Sequence, residues 1–221
     1  GMAPVLLSLF SEMNAQTTST DQVRLIRMDS EQKVEVRVNG ELFTAYYFPT
    51  SIAKPVLYPI KSAQGNDLTR GFPLDPRPGE RIDHPHHVGH WFNYGDVNGL
   101  DFWNNSDAIP AEKKDGYGTI RHKGVTAILE KENRAELEVE MDWLAPNGEV
   151  LLKENTRFAF VSEGGKRSIE RISTLTAQKQ NVSLKDNKEG MFAIRVAREL
   201  EHPSNKPELF TDANGIATAV P

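Results

Sequence analysis

Cysteine is absent from the chain of 221 residues. Its absence excludes disulfide bridges, thiolate zinc sites, iron–sulfur clusters and a cysteine nucleophile. Long apolar runs are also lacking, since the apolar stretch at 3–10 is far too short to span a bilayer as a helix. Basic runs of the kind that follow a phosphate backbone are missing too, and the net charge is -5. We therefore expect neither a membrane nor a nucleic acid as a partner.

The N-terminal twenty residues differ from the remainder of the chain. Gly1 before Met2 is typical of a residue left by expression cloning. Residues 3–10 resemble the apolar part of a signal peptide and 13–16 a cleavage region, although no basic residue precedes them. We predict an N-terminal arm or signal-peptide remnant at 1–20 and a periplasmic or secreted protein. The alternative is a cytoplasmic protein with an amphipathic arm.

A strong hairpin signal follows this arm. Valine alternates with polar residues over 34–38, and Asn39-Gly40 then leads into the β-rich run 42–48. Asn-Gly between two such runs favours a two-residue turn, because both turn positions require positive φ. The sequence therefore predicts two antiparallel strands here.

A second hairpin is predicted from 135–144 to 150–161, across a turn that contains proline, asparagine and glycine. No long amphipathic helix is apparent, and the proline-rich and glycine-rich segment 71–79 must be irregular. The chain after residue 20 is accordingly predicted to be one all-β domain, an antiparallel β-sandwich over 21–221. Further strands are predicted at 117–130, 167–176 and 191–197.

The segment 81–103 is unlike the rest of the chain, because it holds four of the six histidines. A proline and a glycine among them argue against a helix. In an extended chain His84, His86 and His90 would share one face, and His87 would lie on the other, whereas a bulge or turn near Pro85 would change that assignment. The adjacent aromatic residues suit a sugar ring and a hydrophobic core equally well.

Clustered imidazoles beside carboxylates suit proton transfer near neutral pH, and they also suit metal binding. An ordinary structural role in strand ends, turns and core is the competing interpretation. The candidate catalytic residues are His86, His87, His122 and Glu189. The candidate substrate-binding residues are Asp83, His84, His90, Trp91, Asp96, Trp103, Arg121 and Arg195.

Three functions fit these residues. The first is a carbohydrate-active enzyme that uses histidine and carboxylate acid–base chemistry, with a small carbohydrate as ligand and no cofactor. Epimerase, lyase and hydrolase reactions all fit it. The second is a metal-dependent enzyme whose divalent ion is held by His84, His86, His87 and His122. The third is a non-catalytic module in which Trp91 and Trp103 stack on a sugar.

The same segment resembles the signature of the PmoA-like bacterial family. This resemblance implies a galactose-mutarotase-like super-sandwich and a role beside bacterial sugar-degradation systems. It also implies a further C-terminal block after residue 221, and it leaves open whether that block contributes to the pocket. The matching positions are Asp83-His84-Pro85-His86-His87, Gly89, Trp91-Phe92, Gly95-Asp96-Val97-Asn98-Gly99 and Asp101-Phe102-Trp103, with a second block at Glu189-Gly190 and Ile194-Arg195-Val196-Ala197.

Overall fold

The computed structural model describes residues 20–202, 208–211, 214–215 and 217–220. The predicted N-terminal arm therefore lies outside the described residues, except for Thr20. In the described part of the chain, regular structure consists of β-strands and three short 3-10 helices. No helix within it is long and apolar enough to cross a membrane.

The strands are numbered here in chain order. They are β1 (Val23–Met28), β2 (Lys33–Val38), β3 (Glu41–Tyr47), β4 (Val56–Ile60), β5 (His90–Phe92), β6 (Thr119–Glu130), β7 (Arg134–Leu144), β8 (Val150–Glu163), β9 (Lys166–Ala177), β10 (Phe192–Ile194), β11 (Glu208–Thr211) and β12 (Ala217–Val220). The 3-10 helices are Asp29–Glu31, Ala111–Gly116 and Arg198–Leu200.

The strands form two main sheets. One has six strands in the order β1-β2-β3-β4-β5-β10, and the other is a four-stranded meander, β6-β7-β8-β9. A separate ladder joins β11 to β12. All of these strand pairs are antiparallel. The predicted all-β antiparallel sandwich is confirmed.

Both predicted hairpins are present, for the expected reasons. Asn39 and Gly40 have φ of 52° and 86°, which is the left-handed geometry that a two-residue hairpin turn requires. The longer β7–β8 turn closes where the Ala145 N–H donates to the Glu149 carbonyl at 2.9 Å. Its Gly148 has φ of 86°. Local sequence therefore determines both connections.

The main core lies between the two sheets, because the alternate residues of each strand face the same way. Aromatic pairs connect the sheets. The rings of Phe43 and Phe160 lie 6.4 Å apart, and those of Tyr46 and Phe158 lie 5.7 Å apart. Truncating such a buried aromatic side chain to alanine typically costs about 3–5 kcal/mol. This core therefore holds the two sheets together face to face.

One carboxylate is buried in this core. Glu154 is 1% exposed. Its carboxylate accepts hydrogen bonds from Trp143 Nε1 at 2.8 Å, Arg171 Nη2 at 2.7 Å and Thr156 Oγ1 at 2.6 Å. Several charge-assisted bonds offset the desolvation of a buried ion pair. Glu154 and Arg171 thereby link β8 to the edge strand β9.

A second, smaller core covers the outer face of the six-stranded sheet. Its buried members are Val56, Val88, Trp91 and Trp103. The connections between β4 and β5 and between β5 and β6 are long and mostly irregular, and they supply Val88 and Trp103 to this core. The segment 71–79 is irregular, as predicted. The histidine-rich segment belongs to this outer layer.

Candidate functional site

The histidine segment turns sharply instead of running extended. His84 has φ of 45°, and the His87 N–H donates to the His84 carbonyl at 2.9 Å. The turn brings His84 and His87 to the same side, where their rings stack 4.9 Å apart with an angle of 9°. The extended arrangement, with His87 opposite His84 and His86, is thus corrected. The physical reason is the turn at Pro85.

The buried side chain of Arg70 supports this turn through hydrogen bonds. This side chain is 1% exposed. The guanidinium donates to the main-chain carbonyls of Arg81 at 3.1 Å, Asp83 at 2.8 Å, His84 at 2.9 Å and His87 at 3.2 Å. The planar fork of arginine can satisfy several carbonyls at once. Arg70 therefore fixes the backbone that carries the imidazoles, although no sequence motif indicated it.

Asp83 and Arg195 support the same turn. The Asp83 carboxylate accepts hydrogen bonds from Arg70 and Arg195, both at 2.8 Å, and lies 3.0 Å from His84 Nδ1. Burial alone would raise the pKa of Asp83, but the His84 hydrogen bond and the charge of Arg195 outweigh it and lower the pKa. Arg195 also pairs with Glu201 at 2.9 Å. Both predicted substrate-binding residues are engaged within the protein.

The imidazoles form a stack with the two tryptophans. The His87 ring lies 5.0 Å from that of Trp91, 5.9 Å from that of Trp103 and 4.4 Å from that of His86. Trp91 and Trp103 are only 1% and 6% exposed. The tryptophans therefore support the histidines, and they do not present their faces to a ligand.

Burial keeps these imidazoles neutral. It lowers the pKa of His86 to about 4 and, together with the neighbouring His86, lowers the pKa of His87 to about 3. Neutral imidazole can accept a proton or a hydrogen bond at pH 7. This protonation state suits a general base.

Lys54 contacts the main chain at His86. Its Nζ donates to the His86 carbonyl at 2.7 Å and lies 5.4 Å from the centre of the Trp91 ring. Burial lowers the pKa of Lys54 to about 7, although the charge of Asp101 opposes this shift. Near neutral pH the side chain therefore exists as both amine and ammonium. A lysine in that state can give or take a proton.

A cleft joins His86 and Lys54 to Arg121. A cavity of about 100 Å³ is lined by Lys54 and His86 and by the segments 51–53 and 105–107. The same segments line an adjoining recess of about 250 Å³ that reaches Arg121. Arg121 Nη1 donates to the Ile52 carbonyl in its wall. Two of the predicted site residues, His86 and Arg121, thus line adjoining cavities with shared walls, which together form the cleft.

His90 and His122 lie elsewhere, between the two sheets. His90 Nδ1 hydrogen bonds to the Ala193 carbonyl at 2.8 Å. His122 Nδ1 lies 3.0 Å from the Tyr46 hydroxyl, and its ring stacks on Phe48 at 3.9 Å. Burial lowers the pKa of each histidine to about 4. The structure does not bring His122 together with the imidazoles of the outer face.

Asp96 and Glu189 lie in turns. Asp96 accepts a hydrogen bond from the Gly99 N–H at 2.9 Å, which closes a tight turn. The Glu189 carboxylate pairs with Lys188 at 3.2 Å, and the backbone N–H of Glu189 donates to Asn187 Oδ1 at 2.8 Å. These contacts are local and structural, and the predicted pairing of Glu189 with the imidazoles is not among them.

The described residues contain no group of three or more histidine, aspartate or glutamate side chains placed to hold a metal ion. His84, His86 and His87 pack against one another through ring faces and edges, with centroids 4.4–5.6 Å apart. Metal ligation instead requires nitrogen lone pairs directed at one point. The metal-dependent alternative therefore has no ligand set in this part of the chain.

Sequence reasoning missed three residues of the cleft. Lys54 stands in an ordinary loop, and only its burial against Trp91 makes it notable. Asn105 and Asp107 follow the histidine-rich segment directly. A wider window on that segment would have included both, whereas nothing in the sequence indicated Lys54.

Comparison with known proteins gives one match. Residues 33–219 match a family described as a family of unknown function (DUF6807), and the chain belongs to that family. Neither a curated protein nor a solved structure matches the chain.

Proposed function

We propose that this member of a family of unknown function is an enzyme that transfers protons on a sugar or sugar derivative, bound in the cleft between His86 and Arg121. One observation carries the proposal. An imidazole, an amine, a carboxylate and a guanidinium line the same cleft, contributed by His86, Lys54, Asp107 and Arg121. These are the groups that acid–base catalysis uses, together with a cation to hold a polar substituent.

Each group has a distinct role in this proposal. The neutral His86 imidazole accepts a proton from a carbon or hydroxyl of the substrate. Lys54 returns a proton to the departing or newly formed oxygen, since its pKa of about 7 makes both protonation states available at neutral pH. Arg121 binds an oxygen at the other end of the cleft. Asp107, at the exposed rim, accepts hydrogen bonds from hydroxyl groups.

A sugar is favoured over other small molecules by the polar lining of the recess. Its walls carry hydroxyl, amide, carboxylate and cationic side chains, including those of Thr50, Asn105 and Lys114. The two adjoining cavities, of about 100 and 250 Å³, are each smaller than the usual small-molecule site of about 300–1,000 Å³, so a sugar would occupy both. The resemblance of 83–103 to the PmoA-like family supports the same substrate class.

A non-catalytic module that stacks sugars on tryptophan is less well supported. Such a module needs exposed aromatic faces, and Trp91 and Trp103 are buried. The cleft instead offers hydrogen-bonding and titratable groups. The geometry therefore favours chemistry over simple binding.

The test is a screen of mono- and disaccharides and their oxidised forms in D₂O, followed by proton NMR. Binding broadens ligand signals, and turnover produces new anomeric signals, unsaturated products or exchanged C–H positions. We expect at least one sugar to react, and His86→Gln to slow it by about 100-fold or more. Lys54→Met should also slow it, since methionine keeps the apolar contact with Trp91 but cannot transfer a proton.

The matched control is His122→Gln, which alters a half-buried histidine outside the cleft. Its rate should equal that of the unmodified protein, provided that melting curves show all variants folded. Failure of every sugar to bind, or an unchanged rate in His86→Gln, would contradict the proposed function.

A further inference from the structure

A second groove lies on the opposite side of the six-stranded sheet, at the open edge of the sandwich between β9 and β10. Its volume is about 610 Å³, well within the range for small-molecule sites. Phe192 and Ile194 at its mouth are 64% and 47% exposed. Most of the lining is apolar, and these apolar side chains are Phe43, Ile60, Leu68, Ile169, Phe192 and Ile194.

The charged lining of the groove is entirely positive. Its charged side chains are Lys61, Lys166, Arg167 and Arg171, and no carboxylate is among the described residues that line it. Lys61 pairs with Asp67 at 2.6 Å and Arg171 with Glu154 at 2.7 Å, whereas Asp67 and Glu154 are not among the residues that line the groove. An apolar groove with this lining is complementary to an apolar molecule that carries a negative charge.

Arg167 is the cation best placed to receive that charge. Its guanidinium lies 5.2 Å from the centre of the Phe43 ring, and its Nη1 donates to the neutral Ser62 carbonyl at 2.9 Å. Its Nε is buried without a hydrogen-bond partner in the described part of the chain. A planar guanidinium with such a donor matches a carboxylate.

His90 adds an independent indication of a ligand. The side chain lines the groove, and the residue is only 5% exposed. Because Nδ1 bonds to the Ala193 carbonyl, which only accepts, Nδ1 carries the hydrogen. Nε2 of the neutral ring is then an acceptor, and it is buried with no partner among the described residues. A buried acceptor of this kind requires a donor, such as a hydroxyl group.

We propose that the groove binds a small apolar organic acid that also carries a hydroxyl group. The carboxylate pairs with Arg167, the apolar body packs against Phe192 and Ile194, and the hydroxyl donates to His90 Nε2. A sugar does not suit this lining, because most of it is apolar. The site lies across the sheet from the proton-transfer cleft, and neither proposal depends on the other.

The experiment compares three compounds by isothermal calorimetry and by NMR chemical-shift mapping on the whole chain. 4-Hydroxycinnamate carries both polar groups, cinnamate lacks the hydroxyl, and methyl 4-hydroxycinnamate lacks the charge. We expect 4-hydroxycinnamate to bind about tenfold more tightly than either relative, with shifts at residues that line the groove. Each relative loses one of the two polar interactions.

Two variants assign the interactions, and one serves as a control. Arg167→Met should weaken both acids about tenfold and leave the ester unchanged. His90→Phe should remove the advantage of 4-hydroxycinnamate over cinnamate. Lys153→Met removes a positive charge from an exposed position on β8 and should leave the binding of all three compounds unchanged.

Three outcomes overturn the proposal. The first is no binding of 4-hydroxycinnamate at millimolar concentration, and the second is a set of shifts outside the groove. The third is equal weakening of the acids by Arg167→Met and Lys153→Met, which would indicate only a general charge effect. If His90→Phe fails to fold, the comparison of 4-hydroxycinnamate with cinnamate on the unmodified protein still tests the hydroxyl contact.

Discussion

The two faces of the six-stranded sheet carry histidines in different ways. On the outer face, His86 and His87 lie on a turn that Arg70 holds through main-chain carbonyls. Towards the inner face, His90 of β5 and His122, which belongs to β6 of the opposite sheet, each make one hydrogen bond to a residue of the six-stranded sheet. Burial lowers the pKa of all four, so protonation state alone does not separate a functional site from a structural one.

The difference lies in the surroundings of the rings. His86 faces a cleft that also contains Lys54 and leads to Arg121, whereas His122 packs against Tyr46 and Phe48 in the main core. A histidine becomes a candidate catalyst through its titratable neighbours and access to a substrate. Clustering along the chain is a weaker guide than the face of the sheet that each residue occupies.

The largest expected effect comes from removing the support of the outer histidines. Arg70→Met removes the donor to four main-chain carbonyls and one of the donors to the Asp83 carboxylate, so we expect a loss of about 3–5 kcal/mol in the free energy of unfolding. Urea denaturation at pH 7 measures it. The control is Arg157→Met, at a partly exposed ion pair on β8, where about 0–1 kcal/mol is expected. Equal losses in the two variants would remove Arg70 as the basis of the outer site.

Gly89 separates the two groups of histidines, and its substitution should have the next largest effect. Its φ is +56°, and an added Cβ would lie 2.2 Å from the Leu57 carbonyl oxygen. We expect Gly89→Ala to cost about 2–4 kcal/mol, from left-handed strain and backbone displacement together. Gly116→Ala is the control, since a Cβ there meets nothing within 4 Å. Thermal melting compares the two, and a fully stable Gly89→Ala would contradict the backbone path from His87 to His90.

The histidines whose pKa values are lowered predict a stability that falls in mild acid. The pKa values of His86, His90 and His122 are lowered from 6.5 to about 4 in the folded chain. Between these values the unfolded chain binds more protons, so stability is complete above pH 6.5 and is lost as pH falls towards 4. Each histidine contributes up to about 1.4 kcal/mol per pH unit.

Urea denaturation between pH 7.5 and about 4.5 tests this expectation, since ordinary carboxylates bind few protons over most of that range. His86→Gln and His122→Gln should each reduce the slope of stability against pH by about one proton. An unchanged slope in His122→Gln would show that the inner histidine is hydrated. An unchanged slope in His86→Gln would show that His86 is hydrated in the folded chain.

The smallest expected effect is at His84, which completes the comparison on the outer face. Its side chain is 53% exposed, and its ion pair with Asp83 is therefore weak. His84→Asn keeps a residue type that tolerates the φ of 45° at this position. We expect a change of less than about 1 kcal/mol in urea denaturation. A larger loss would mean that the His84–His87 stack supports the turn as much as Arg70 does.

Local sequence patterns were sufficient for the architecture. Alternating valines and an Asn-Gly pair predicted β2 and β3, because strand period and turn geometry depend on adjacent residues. The alternation in 135–144 predicted β7 in the same way, and the absence of helical periodicity excluded a helical fold. The histidine-rich segment was also apparent from composition alone.

The site itself required contacts between residues distant in sequence. Lys54 and Arg70 meet the histidine turn from other loops, and Arg121 reaches the cleft from β6. Glu189 was expected among the imidazoles, but a local turn holds it beside Lys188. No single-sequence pattern contains such information, since it depends on how loops pack across the sheet.

By itself, therefore, the sequence determined the all-β class, the strands β2, β3 and β6 to β9, the two predicted hairpins and the segment richest in titratable groups, but not β1, β4 or β5. Only the tertiary structure decided which histidines share a face and which cations lie beside them. The physical reason is the distance in sequence between the interacting residues. Hydrogen bonds within a hairpin link residues that lie close together along the chain. Burial, pKa and cleft geometry depend on side chains that folding brings together from distant positions.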